Sequence, residues 1–163
     1  MLRLTAAVIS GSTALHVLDI DRAHTWIPND LDIYTPAHTY QHVVEYLVDH
    51  EHYKVLKTDR AKPYSHTNPA INRVVHLERD DLDIDVIQSC NASALYPIPH
   101  FWSSHLMNYL SADGFCIAYP DYTLTGRGIL TPNQMIGFQL PTFRTLSTIT
   151  KYVERGYEIR TQP

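Results

Sequence analysis

Two stretches constrain this chain more than any others: DLDIYT (30–35) and LDIDVIQ (82–88). Both have the apolar and β-branched content of strands, and both place Asp at alternate positions. Successive side chains of a strand point to opposite faces, so Asp30 and Asp32 share a face, and so do Asp83 and Asp85. Carboxylates two residues apart lie roughly 6–7 Å apart along a strand. At an effective dielectric of about 20 they repel by roughly 2–3 kcal/mol. On an exposed strand face such a pair is often merely solvated; held together in a fold, it gains from an opposite charge between the carboxylates.

The segments around these strands alternate in type. LTAAVIS (4–10) is a short apolar run ending at Gly11 and reads as a buried strand. STALHVLD (12–19) reads as a helix with Ser12 near its N-terminus, and RAHTWIPN (22–29) as a loop. AHTYQHVVEYLVDH (37–50) carries Tyr40, Val43, Val44, Leu47 and Val48 at helical spacing. YKVLKT (53–58) and INRVVHLE (71–78) read as strands, with a polar turn region DRAKPYSHTNP between them, and ERDD (78–81) as a tight turn. Further on, HFWSSHLMNYL (100–110) reads as helix and FCIAYP (115–120) as strand. FRTLSTITKYVERGY (143–157) reads as a last helix with Gly156 as its cap. Interleaved helices and strands, with a hairpin-like run in the middle, predict an α/β (α+β) fold. Its mixed β-sheet is flanked by helices.

At 163 residues the chain is expected to form one domain, 1–163. Its motif-bearing core covers about 4–88, and a helical or irregular C-terminal part covers 89–163. Hydrophobic residues at 44% and charged residues at 18% indicate a globular chain. The net charge of −4 gives no sign of non-specific binding to nucleic acid or membrane. No apolar run reaches the roughly twenty residues of a membrane span, and MLRLTAAVIS is too short a run for a signal peptide. Cys90 and Cys116 form no CxxC pair or disulfide framework. An intracellular, cytoplasmic setting is the default expectation. Both cysteines read as small residues in or near the core.

Three features then fall in order: a strand ending in Gly11-Ser12 that opens a helix, a strand bearing Asp30 and Asp32, and a later strand bearing Asp85 or Asp83. Gly lets backbone approach a ligand closely. A helix N-terminus offers free N–H groups and a positive dipole end, both suited to phosphate. Carboxylates on one face are hard oxygen ligands, and Mg²⁺ prefers one or two of them plus phosphate oxygens. A third carboxylate on a neighbouring strand would complete a two-metal site or act as general base.

The segments SGST, PNDLDIY and LDIDVI, in that order, resemble the nucleotidyltransferase superfamily typified by DNA polymerase beta. The spelling ISGSTAL with PNDLDIY, and the tail KYVERGYEI (151–159), look like short uncharacterised fungal members. The resemblance implies a small mixed sheet flanked by helices. It implies that Gly11 and Ser12 hold the triphosphate of an NTP and that Asp30, Asp32 and Asp85 bind Mg²⁺, with Mn²⁺ as an alternative. Asp85 rather than Asp83 matches the third strand better, because IDVI follows the family pattern. The implied reaction moves an NMP to a hydroxyl and releases pyrophosphate. The acceptor is left open among a small molecule, a protein and an RNA, and oligomerisation is left open too. The segment 13–29 is longer than the family usually has between these motifs.

Other clusters have plainer readings. His38, His42 and Glu45 at helical spacing read as the solvated face of an amphipathic helix rather than a zinc site. His100 and His105, near Phe101 and Trp102, read as packed side chains. ERDDLDID lacks the Gly and distal Glu of an EF-hand. Lys151 and Arg155 could reach a phosphate, but basic residues favour a helix C-terminus anyway. Two further functions stay open: a catalytically inactive binding module of the same fold, and a metal-dependent phosphodiesterase.

Overall fold

The strand expected over 4–10 is shorter than its apolar run. A single helical turn, α1 (Leu2–Thr5), precedes β1 (Val8–Ser10), with Ala6 between them in the left-handed region at φ 51°. The structure is a computed structural model that describes residues 1–60, 68–132, 135–136, 140–141 and 143–162. Most of the polar turn expected at 59–69 lies outside the described residues. β1 runs directly into α2 (Gly11–Leu18). The long segment that follows is partly helical, not all loop: α3 (Ile20–Ala23) adds one turn before β2 (Asp30–Thr35). Then come α4 (Tyr40–Asp49), β3 (Lys54–Arg60), β4 (Ile71–Arg79) and β5 (Leu82–Ser89).

The fold is mixed α/β. A seven-stranded sheet has the order β3-β4-β5-β2-β1-β6-β7, where β6 is Asn108–Leu110 and β7 is Phe115–Ile117. Within this sheet β2 and β5 are parallel, and the other pairs are antiparallel. Among the described residues no helix is long and apolar enough to cross a membrane.

The alternation read in the sequence sets the two faces of this sheet. Ile33 lies opposite Val86 and packs with Val75, Leu77 and Ile84 against the Val43 and Leu47 stripe of α4. Full burial of such side chains contributes roughly 1.5–3 kcal/mol each. His38, His42 and Glu45 are exposed on α4's approach and outer side, as expected of a solvated face. On the other face, Tyr34 lies opposite Ile87 and packs with Val8, Val74, Ala94 and Met107. The same face continues into Asp32, Asp30, Asp85 and Asp83, so the acids sit where that apolar strip ends.

The segment 100–110 is not a helix. It makes one 3₁₀ turn at Ile98–His100, another at Ser104–Leu106, and then β6. Tyr109 and Asn108 are used in strand pairing with β7 instead of an amphipathic helical face. His105 is fully buried among Trp102, Tyr152 and Tyr157. Its Nδ1 is 2.9 Å from Ser103 Oγ, and burial lowers its pKa to about 3, so it is a neutral packing residue. Cys90 is exposed, against the expectation of a near-core position; it follows the end of β5, where the chain leaves the sheet.

The C-terminal part closes on the sheet's β1 side. After α5 (Pro120–Thr123), β8 (Arg127–Ile129) and the short pair β9 (Met135–Ile136) and β10 (Leu140–Pro141) comes α6 (Phe143–Glu154). Gly156 ends α6 at φ 87°, with its N–H bonded to Val153 O. β11 (Glu158–Arg160) then pairs in parallel with β8, a strand the sequence did not announce. Leu15, Trp26, Leu106, Tyr152 and Tyr157 form the core beneath α6.

Candidate metal and nucleotide site

β1 is antiparallel to β2, so the last residue of β1 lies beside the acid-bearing half of β2: Ser10 pairs with Asp32. β5 is parallel to β2, so the two Asp-x-Asp segments lie in register, Asp30 with Asp83 and Asp32 with Asp85. Four carboxylates therefore share one face. The structure brings three of them together: Asp30, Asp32 and Asp85 each offer an oxygen within 4.8 Å of the others, and all three are half-buried. Asp83 stands outside this trio and is exposed. Its strand has just left the turn at Asp80 and Asp81.

The Gly11 corner faces the trio. Gly11 has φ 67°, and a Cβ there would collide with Asp32 Oδ2. Only glycine allows the α2 N-terminus to approach the carboxylate this closely. Ser12 follows at 6% exposure, and its Oγ is buried without a hydrogen-bond partner among the described residues. An orphaned buried hydroxyl is costly unless a ligand completes it. Thr13 Oγ1 donates to Asp30 O at 2.8 Å, fixing the helix's first turn to the start of β2. Gly11→Ala is expected to destabilise the protein by at least about 2 kcal/mol, combining left-handed strain with the collision. Chemical denaturation of both proteins measures it.

The electrostatics of the trio are unfavourable as it stands. Burial, then the charges of Asp30 and Asp85, raise the Asp32 carboxyl well above its usual range, while Lys151 on α6 pulls it down. Burial also raises Asp85, and His76 opposes that rise. At separations of up to 4.8 Å, two such charges repel by about 3 kcal/mol at an effective dielectric of about 20. A divalent cation turns that repulsion into shared attraction. Three carboxylates on one face, beside the Gly11 corner, are hard oxygen donors that could hold a divalent cation.

On the far side of the acids from Gly11 lies a cleft of about 490 Å³, lined by Asn29, Asp30, Leu56, His76, Asp83 and Asp85. His76 was not singled out in the sequence. It faces Asp85 across β4 and β5, with Nδ1 2.6 Å from Asp85 Oδ1. Strand alternation gave its face, but only the β4–β5 register shows its partner.

Lys151, in the last turn of α6, and Arg155, just after the helix ends at Glu154, are placed differently. Lys151 is exposed and close enough to influence Asp32. Arg155 is 7% exposed and lies 4.1 Å above the Trp26 ring, so it serves packing. Tyr152, one residue after Lys151, has a phenol raised chiefly by burial, with Asp32 and Asp30 adding to the rise. The last turns of α6 therefore stand beside the acids. No protein-family model, curated protein or solved structure matches the chain.

Proposed function

We propose that the protein is a Mg²⁺-dependent nucleotidyltransferase of the DNA polymerase beta type, moving an NMP from an NTP to a hydroxyl acceptor. The observation that carries this reading is the convergence of the Asp30–Asp32–Asp85 trio with the glycine corner and buried Ser12 hydroxyl. Asp30, Asp32 and Asp85 would hold the metal, Mg²⁺ or Mn²⁺, which supplies charge neutralisation for a crowded polyphosphate. Free N–H groups at the start of α2, with the Ser12 hydroxyl, would donate hydrogen bonds to the phosphate oxygens. The acceptor hydroxyl approaches from the cleft beside His76 and Asp83. Its oxygen bonds to the α-phosphorus as the bond to the bridging oxygen breaks, pyrophosphate leaves, and the hydroxyl proton passes to Asp85.

The Gly11–Ser12 corner favours a triphosphate over a phosphodiester substrate, because it gathers backbone donors beside the acids. The test incubates the protein with Mg²⁺, each NTP labelled at the α-phosphate, and pooled small hydroxyl compounds, proteins or RNA. Pyrophosphate release with label transfer to one pool is expected. Label that never leaves the NTP while the nucleotide still binds would identify an inactive binding module. Cleavage of a phosphodiester without pyrophosphate would identify a phosphodiesterase.

A further inference from the structure

We propose that His76 is a positioning residue for the acid trio, holding the Asp85 carboxylate in the orientation that a shared divalent cation requires. The proposal rests on the metal-binding reading above and adds to it a residue outside the carboxylate set. His76 and Asp85 are register partners on β4 and β5, so the backbone itself brings them together. The two side chains are 26% and 20% exposed, and Nδ1 lies 2.6 Å from Oδ1. An ionised carboxylate only accepts hydrogen bonds, so with Asp85 ionised to hold a cation, His76 Nδ1 is the donor across this 2.6 Å contact.

The physical need for such a clamp follows from the charges. Asp85 lines the cleft together with Asp30, and the charges of Asp30 and Asp32 within 4.8 Å repel it. With nothing to hold it, the carboxylate would rotate into the open cleft and leave two acids where three are needed. The imidazole engages one oxygen and leaves the second for the trio. Carboxylate ligands held in this way by an outer hydrogen bond bind metal more tightly, and loss of the outer partner typically weakens affinity 10–100-fold.

The experiment titrates Mn²⁺ into wild type, His76→Ala and His76→Asn and reads free Mn²⁺ by its electron paramagnetic resonance signal. Circular dichroism confirms that each is folded. His76→Ala is expected to weaken binding by about 10–100-fold. His76→Asn is expected to stay within about threefold of wild type, because its amide N–H₂ donates from nearly the same place as Nδ1. If the alanine variant does not fold, His76→Val, a residue suited to strands, replaces it. Wild-type affinity in His76→Ala overturns the positioning role and leaves the metal site standing. Asn as weak as Ala overturns it as well, since the effect would not follow the donor. A wild type that binds no Mn²⁺ overturns both the clamp and the metal reading on which it rests.

Discussion

Asp32→Asn is expected to stabilise the metal-free protein while abolishing the metal-dependent nucleotide binding proposed for this site. In the native state, burial and the neighbouring acids hold the Asp32 proton more tightly than the unfolded chain does. The native state therefore binds more protons between the ordinary value of 3.8 and its own raised value, and stability falls as pH rises through that window. Asp85 adds a loss of the same sign. An amide at position 32 removes the charge that is most crowded. At pH 8 the gain is expected to be about 2–3 kcal/mol, the size of one close carboxylate repulsion at an effective dielectric of about 20. The pH dependence of unfolding should flatten at the same time. Urea unfolding from pH 4 to 8 checks the sign. A variant less stable than wild type at pH 8 would mean that Asp32 is held by partners that already offset its charge. Saturating Mg²⁺ should reverse the order, stabilising wild type and leaving Asp32→Asn unchanged.

The second large effect concerns how the C-terminal part is anchored. Asp19 is 2% exposed, between α2 and α3. Arg22 Nη1 lies 3.0 Å from both of its oxygens, and Tyr157 Oη donates to it at 2.7 Å. Gly126, at φ 73°, lies directly against the Arg22 guanidinium, where a Cβ would collide. One buried carboxylate thus joins α2, the turn before β8 and the end of α6. Breaking a buried pair leaves its partners uncompensated, and Asp19→Ala is expected to cost about 3 kcal/mol. Tyr157→Phe removes only one hydrogen bond to a charged acceptor and is expected to cost about 1.5 kcal/mol. Denaturant titration followed by the fluorescence of Trp26 and Trp102 reports both. A cost below about 0.5 kcal/mol for Asp19→Ala would show that apolar packing alone holds α6.

The acid-bearing strands were legible because their period-2 pattern is local: DLDIYT became β2 with the expected boundaries, and LDIDVIQ became β5 with one residue more. Helix α4 was legible for the same reason, from its 3.6-residue stripe. What local patterns do not encode is register. The parallel pairing of β2 with β5 decides that Asp85 joins Asp30 and Asp32, and the antiparallel pairing of β4 with β5 gives Asp85 to His76. The apolar residues of segment 100–110 also suit a helix, so its local pattern does not distinguish the two. Its contacts are to β7 and to the core around Tyr152 and Tyr157, and such tertiary contacts outweigh propensity. β11 was invisible because three residues of strand depend entirely on β8, a partner some thirty positions earlier.

Calorimetric titration of each NTP, with Mg²⁺ and then with chelator, goes to the heart of the proposed site. Binding of at least one NTP is expected only when the metal is present, and Asp30→Asn or Asp32→Asn should abolish it. A folded protein that binds no NTP with Mg²⁺, or that binds one equally well with chelator and in both variants, would contradict the assignment of these three carboxylates and the Gly11 corner to a metal-bound nucleotide.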